Sequence, residues 1–518
     1  MALRADTVTR YAGIIAAGVT VAVVLAACVG IAARAEPSTG FAAGDWQAVR
    51  FTVLQAFLSA VFSVLLAVPL ARALARRRFF GHGVLVMFLG VPFILPVIVA
   101  VIGLLAVFGR NGWLNAALGA VGLPEVSIYG LHGVVLAHVF FNLPLATRLL
   151  LQGWQAVPAE RFRLAAQLNL TPRAVARTLE WPVLKQIVPG AFALIFVICL
   201  TSFAVALTLG GGPKSTTIEL AIYQTFRYDF DLARAALLSA VQLVLAGSAA
   251  VLALSIMPQV VLGGGLDRPV QRWDARGGWQ RVGDMTVIAL GAAFLLLPLS
   301  AVVGRGVFGL PQMPATVWGA AGISLQVAAV SVAVLLVIAL PMAGWIASRR
   351  SGGVEAIGLL GLSFSPLMIG TGWFILLNPI VDPVSLALPV TALVNALMAL
   401  PFALRIMVPS MRDTLQTYGR LSEGLSMRGW SLWRWVILPR LRPQIGFAAG
   451  LTGALSIGDL GVIALFADPD RATLPLQMYR LMGAYRMEAA AGAALLLLAL
   501  ALVFFWLCDQ GGRWRAET

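Results

Sequence analysis

The chain has 518 residues, of which 60% are hydrophobic and only 11% charged, with a mean hydropathy of +0.91. That leaves too little polar surface to coat a water-soluble globule, so lipid must be the main solvent and an all-α polytopic membrane protein is expected. The formal charge of +15 would suit nucleic acid, but the basic residues lie between apolar stretches of spanning length and read as topology signals, so no nucleic-acid partner is expected.

The first apolar run, 11–33, follows Arg4 and Arg10 and contains Leu25-Ala26-Ala27-Cys28, which has the look of a bacterial lipoprotein cleavage box. The run continues past Cys28 to spanning length, which favours a first transmembrane helix with a buried thiol. Cys199 and Cys508 are equally isolated, so neither a disulfide framework nor a metal site is expected. About 20 apolar residues at about 1.5 Å rise cross a hydrocarbon core of about 30 Å. On that measure spans are predicted at 11–33, 52–74, 83–108, 128–150, 187–209, 233–257, 285–304, 317–347, 354–377, 384–407, 444–466 and 486–507, six in each half.

Arg72 with Arg76-Arg77-Arg78, Arg349-Arg350, and Arg513 with Arg515 share a side with Arg4 and Arg10. If that side is the cytoplasm, both chain ends lie inside a bacterial inner membrane and the two halves run in parallel, related by a pseudo-two-fold axis along the membrane normal. The expected division is a first transmembrane half over 1–257, a cytoplasmic linker over 258–284 with glycines at 263–265, and a second transmembrane half over 285–518.

One polar interruption occurs twice. Pro144 and Pro401, Arg148 and Arg405, and Pro182 and Pro439 are each 257 residues apart, while Gln55 and Gln326, Pro69 and Pro341, and Pro96 and Pro366 pair at offsets of 270–272. The drop places a deletion of about fourteen residues in the outer loop between spans three and four of the second half. The repeated cytoplasmic loops cover 153–185 and 410–441. In the first, Thr171-Pro172 is a helix start, Phe162, Ala165 and Ala166 form an apolar stripe, and Arg173, Arg177 and Glu180 share a face. Two short amphipathic helices bending between Asn169 and Pro172 are predicted. In the second, Gly429 stands in place of Pro172 and Trp433, Val436 and Ile437 supply the stripe. Such a pair could lie on anionic lipid, merely connect two spans, or insert as a knob into a two-fold symmetric soluble partner.

The spacing resembles the cytoplasmic loop signature of ABC importer permeases, Glu-Ala-Ala, three residues, Gly, nine residues, Ile, one residue, Leu-Pro. Arg163-Leu164-Ala165, Asn169, Leu179 and Trp181-Pro182 take those positions in the first copy; Arg420-Leu421-Ser422, Ser426, Val436 and Leu438-Pro439 take them in the second. Glu and Gly are absent from both. Gly210-Gly211-Gly212-Pro213 with Thr216 to Gln224, Leu136 to Pro144, Leu455 to Val462 and Thr473-Leu474-Pro475 resemble the fused permease of the bacterial thiamine and thiamine pyrophosphate importer. The resemblance implies a type I importer permease of about twelve helices, with two copies of a cytoplasmic ATP-binding subunit docked on Arg163, Leu164, Ala165, Asn169, Pro182, Arg420, Leu421, Ser422, Ser426 and Pro439. It also implies a periplasmic substrate-binding protein, and no cofactor. A permease for ferric iron or another small solute is the alternative, followed by a proton-coupled twelve-helix secondary transporter and a membrane scaffold.

No catalytic constellation competes with this reading. No G-x-x-x-x-G-K-[ST] loop is present, so the chain is not itself the ATPase, and His82, His132 and His138 are not spaced as a metal site. Gly210-Gly211-Gly212-Pro213 follows a span on the outer side, where it could contact the delivery protein or simply turn. Within the spans Asp459 is a candidate for the substrate path, because an intramembrane carboxylate is costly unless it faces the bundle interior. Its repeat equivalent Ser202, with Thr201 beside it, is a candidate for the same path. His138 and Asn395 are also repeat-equivalent path candidates, from which interhelical hydrogen bonds are expected more than ligand contacts.

Overall fold

The computed structural model describes residues 7–35, 42–90, 92, 94–256, 277–348, 364–466 and 471–513, and these fold into helices joined by turns. The main helices of the first half are α1 (Thr7–Arg34), α2 (Ala43–Arg76), α3 (Val97–Phe108), α4 (Leu131–Gln155), α5 (Ala159–Gln167), α6 (Trp181–Leu200), α7 (Ala204–Leu209), α8 (Ile218–Gln224) and α9 (Leu232–Ile256). Those of the second half are α10 (Gly278–Gly309), α11 (Ala315–Ser348), α12 (Pro366–Leu377), α13 (Ala387–Gly424), α14 (Leu438–Ile457), α15 (Gly461–Phe466), α16 (Leu474–Gly483) and α17 (Met487–Arg513). Eleven helices among the described residues are long and apolar enough to cross a membrane. The chain is thus an all-α polytopic membrane protein.

The start of the predicted span 354–377 lies outside the described residues, as do Arg4, Arg349, Arg350, Arg515 and the linker up to residue 276. The end of that linker differs from expectation. Residues 278–284 are the first turns of α10, and Asp284 accepts a 2.7 Å ion pair from Arg77 at the end of α2. Cys28 lies within an unbroken α1.

Helices are what lipid permits, since a spanning segment must satisfy its own backbone groups. Leu65, Val251 and Val337 are exposed and face outward as lipid-facing residues do, whereas Thr52, Gln55, Ser59, Ser331 and Gln242 are buried between helices. The halves use matching contacts: α2 packs on α4 and α6, and α11 packs on α13 and α14. The first helix of each half crosses to the other, with α1 against α11 and α12, and α10 against α2 and α3. A Cβ on Gly372 would stand 2.3 Å from the Ala27 carbonyl oxygen, and one on Gly30 would stand 2.5 Å from that of Gly372. Small residues there let α1 and α12 touch backbone to backbone, the packing that replaces hydrophobic drive inside a bilayer.

Two predicted spans are broken. The run 187–209 stops at Leu200 and restarts at Ala204, and the run 444–466 stops at Ile457 and restarts at Gly461. A break inside lipid frees carbonyls that need other donors. Gln55 Nε2 donates to the Cys199 carbonyl at 2.8 Å and Gln242 Nε2 donates to that of Leu200 at 2.9 Å. In the second break a Cβ on Gly458 would come within 2.9 Å of Pro96, so only glycine lets this turn meet the start of α3 from the other half.

Candidate functional site

The two breaks frame a repeated polar centre. In the first half His138 on α4 bridges Ser59 on α2 at 3.1 Å and Ser202 in the break at 2.7 Å, while Asn142 donates to Cys199 Sγ at 3.3 Å. In the second, Asn395 on α13 donates to Ser456 at 3.0 Å, and the Ser456 and Ser331 hydroxyls share a 2.9 Å hydrogen bond. Ser59 and Ser331 are 272 residues apart, whereas His138 and Asn395, Cys199 and Ser456, and Ser202 and Asp459 are each 257 apart. Each half therefore brings the same four positions together.

Asp459 is not inside a continuous helix, as the apolar run suggested, but in the break itself. Its Oδ1 accepts from the Gly461 N–H at 3.1 Å, while its Oδ2 is buried, with Asn395 beside the carboxylate, and makes no well-formed hydrogen bond among the described residues. A buried carboxylate with one oxygen free has unused capacity for a donor or a cation. Ser202, His138 and Asn395, by contrast, are already engaged with neighbouring side chains. Thr201 donates to the Ile198 carbonyl at 3.3 Å and stands outside the network.

Ser59, Ser331, Cys199 and Ser456 were missed by sequence reasoning, although polar residues recurring at both repeat offsets could have revealed them. The contacts also correct one pairing. Thr52 accepts the Ile218 N–H at 2.9 Å as Ser324 accepts the Leu474 N–H at 2.8 Å, an offset of 272 that pairs Gln55 with Val327 rather than Gln326.

The repeated loops have a common turn. In the first, the Leu170 N–H reaches back to the Ala165 carbonyl at 3.0 Å; in the second, the Met427 N–H reaches that of Ser422 at 2.9 Å. Asn169 and Ser426 sit at the turns with φ of 49° and 55°, which explains why the signature places Gly there. Thr171 accepts the Ala174 N–H at 3.3 Å and Pro172 occupies the first turn, as a cap should.

Ala165 and Ser422 are buried in their own loops, Ala165 against Phe162 and Val175, so they shape the knobs without presenting a contact face. The exposed apolar face is Leu164 and Leu168 in the first loop, 56% and 62% exposed, and Leu421 and Leu425 in the second, 61% and 64% exposed. Arg163, Arg420, Asn169, Ser426 and Pro182 are exposed as well, and Pro439 is half-buried. Glu180 does not share an open face with Arg173 and Arg177. It is buried and binds Arg72 at 2.7 Å and Arg76 at 3.2 Å, tying the first loop to α2.

On the short helix α8, outside the spans, Glu219 is fully buried, and burial pushes its carboxyl up to about 8 against the opposing pull of Ser365 and Gln242.

Broken helices that carry buried polar side chains inside an all-α polytopic bundle are a form that membrane transport proteins use. No protein-family model matches the chain. It is 42% identical over 482 residues to the thiamine transport system permease protein ThiP of Salmonella typhimurium, covering 90% of this chain and 89% of that one. It is equally 42% identical, with the same coverage, to ThiP of Escherichia coli. The Brucella abortus ThiP is 38% identical over 493 residues, covering 91% of this chain and 89% of its own. The chain belongs to the thiamine transport system permease family, a group of transport subunits.

Proposed function

We propose that this chain forms the path by which thiamine or its pyrophosphate crosses the inner membrane, as the fused permease of an ABC importer. The observation that carries the reading is the 42% identity over nine-tenths of the chain. A periplasmic binding protein delivers the substrate, and two copies of a cytoplasmic ATP-binding subunit dock on the loops over 153–185 and 410–441, with both chain ends on the cytoplasmic side. ATP closes the partner dimer and draws the loops together. The halves 1–257 and 285–518 then rock from inward-open to outward-open around the centre at Ser202 and Asp459. Asp459 Oδ2 suits the cationic thiazolium, and Leu164, Leu168, Leu421 and Leu425 are the side chains that enter the partner.

The test is thiamine uptake into proteoliposomes holding the whole transporter. Asp459→Asn should lower uptake by about tenfold with assembly unchanged, the scale of one lost charged contact. Leu164→Glu with Leu421→Glu should release the ATP-binding subunits from a normally folded permease. Unaltered uptake in the first variant would remove Asp459 from the path, and retained subunit binding in the second would sink the docking assignment.

A further inference from the structure

A cavity of about 280 Å³ lies at the far end of α6 and α7 from the repeated loops. That is close to the lower bound, about 300 Å³, of pockets that hold small organic ligands. Four of the chain's 7 tyrosines line it: Tyr129, Tyr223 and Tyr228 from the first half, and Tyr479 from the second. Tyr223 and Tyr479 each follow a matched helix-capping position, Thr217 and Thr473, by six residues, so both repeats supply the same side chain to one cavity. The rings are already ordered edge to face. Tyr223 and Tyr228 are 6.1 Å apart at 83°, and Phe203 and Tyr223 are 5.2 Å apart at 60°.

None of the lining side chains carries a charge, and Arg227 is the charged neighbour that acts on Tyr223. Burial first, then the Tyr228 and Tyr479 phenols, hold the Tyr223 hydroxyl in its neutral form. What the cavity offers is therefore ring faces, negative at their centres, with wet hydroxyl tips. Such a surface attracts a flat cation without binding it as firmly as a carboxylate would, which suits a stop that must also release its occupant. Phe203 gives the onward direction. A Cβ on Gly461 would lie 3.9 Å from the Phe203 ring and 3.6 Å from Asp459 Oδ1, so this ring stands between Tyr223 and the polar centre.

We propose that the tyrosine cavity is an entry subsite in the permease itself, taking an aromatic heterocyclic cation by stacking and cation–π contact before it passes to Asp459. This deepens the thiamine reading and rests on it. The measurement is calorimetric titration of thiamine into the purified permease–ATPase complex without the delivery protein, set beside a neutral analogue whose thiazolium is replaced by a thiophene ring. Wild type should bind thiamine saturably and about tenfold more tightly than the analogue. Tyr223→Leu with Tyr479→Leu should lose about tenfold for thiamine and abolish the preference, while the Tyr→Phe pair keeps both within about twofold. Should the buried Leu pair fail to assemble, Tyr228→Leu, at an exposed position on the rim, should still weaken thiamine by about threefold. Absence of saturable binding to wild type, or Leu variants that bind like wild type, would overturn the subsite. Loss of the functional reading would show separately, as failure of the wild-type transporter to take up thiamine.

Discussion

The two repeated loops share a turn and a place in the chain but are fastened to the spanning helices by opposite chemistry. In the first, α4 ends at Gln155 and α5 begins after Pro158; in the second, α13 runs for 38 residues from Ala387 to Gly424 without interruption. Glu180 anchors the first loop through Arg72 and Arg76, and it and Arg76 expose only 3% and 4% of their side chains. In the repeat, Glu180 becomes Ile437, packed with Met342, Ala343 and Leu441, while Arg72 becomes Gly344. A Cβ on Gly344 would stand 2.8 Å from the Trp433 ring, whose N–H donates to Thr9 of α1 at 3.0 Å. The loop's position and its closing turn are common to both copies; the latch holding it is free to be ionic or apolar.

The largest effect should come from breaking the ionic latch. Glu180→Ala removes the buried carboxylate that pairs with both Arg72 and Arg76 and should cost about 3–5 kcal/mol, the usual consequence of removing one partner of a buried pair. Glu180→Ile combined with Arg72→Ala and Arg76→Ala copies the second loop's chemistry and should recover most of that loss, because apolar replacement of a whole buried pair is commonly neutral. Thermal unfolding in detergent measures both. A single variant that melts like wild type would show that the ion pairs anchor nothing.

A second difference between the halves lies beyond the helix breaks, where Glu219 on α8 corresponds to Pro475 on α16. The ordinary carboxyl titrates near 4.5 and the buried one near 8, so folding favours the protonated form. Its contribution to stability is full below 4.5 and is lost as pH rises through 8. Glu219→Gln, which is neutral at every pH, should flatten the melting profile across that window and leave it unchanged below. A slope that survives the substitution would have to come from another group.

Much of this architecture could be read from residue order alone, for identifiable reasons. Hydropathy marks spans because lipid penalises any other backbone, and the offset of 257 between Pro144 and Pro401 marks a repeat whatever its fold. The Thr171 cap and the bend at Asn169 were legible because both are local, set by the residue and its next few neighbours. The helix breaks were not. Apolar residues resume directly after Thr201-Ser202 and Gly458-Asp459, so each stretch reads as one span, and what stabilises the first break is remote: Gln55 lies 144 residues from the carbonyl it satisfies. Glu180 was misjudged for the same reason, since its partners Arg72 and Arg76 lie 108 and 104 residues away. Asp459 stands out as a lone carboxylate in an apolar run, but its break packs Gly458 against the distant Pro96, a contact that no local pattern announces.

The smallest effects test what the loops share. Both turns hold a non-glycine residue at positive φ, Asn169 at 49° and Ser426 at 55°, where the permease signature has Gly. An L side chain in this region costs about 1–2 kcal/mol, less for Asn, whose short amide can bond locally, than for Ser. Glycine removes that strain but gives part of the gain back through a more flexible unfolded chain. Ser426→Gly should therefore stabilise its loop by about 0.5–1 kcal/mol and Asn169→Gly by less, read as slower amide hydrogen exchange at residues 421–427 and 164–170. The second loop should gain more because it has no counterpart to the Thr171 cap: Gly429 leads its next helix without a side-chain hydrogen bond. Equal gains in the two loops would mean that Asn and Ser bear the left-handed turn equally well. A loss in either would mean that the side chain, and not the backbone, holds the bend.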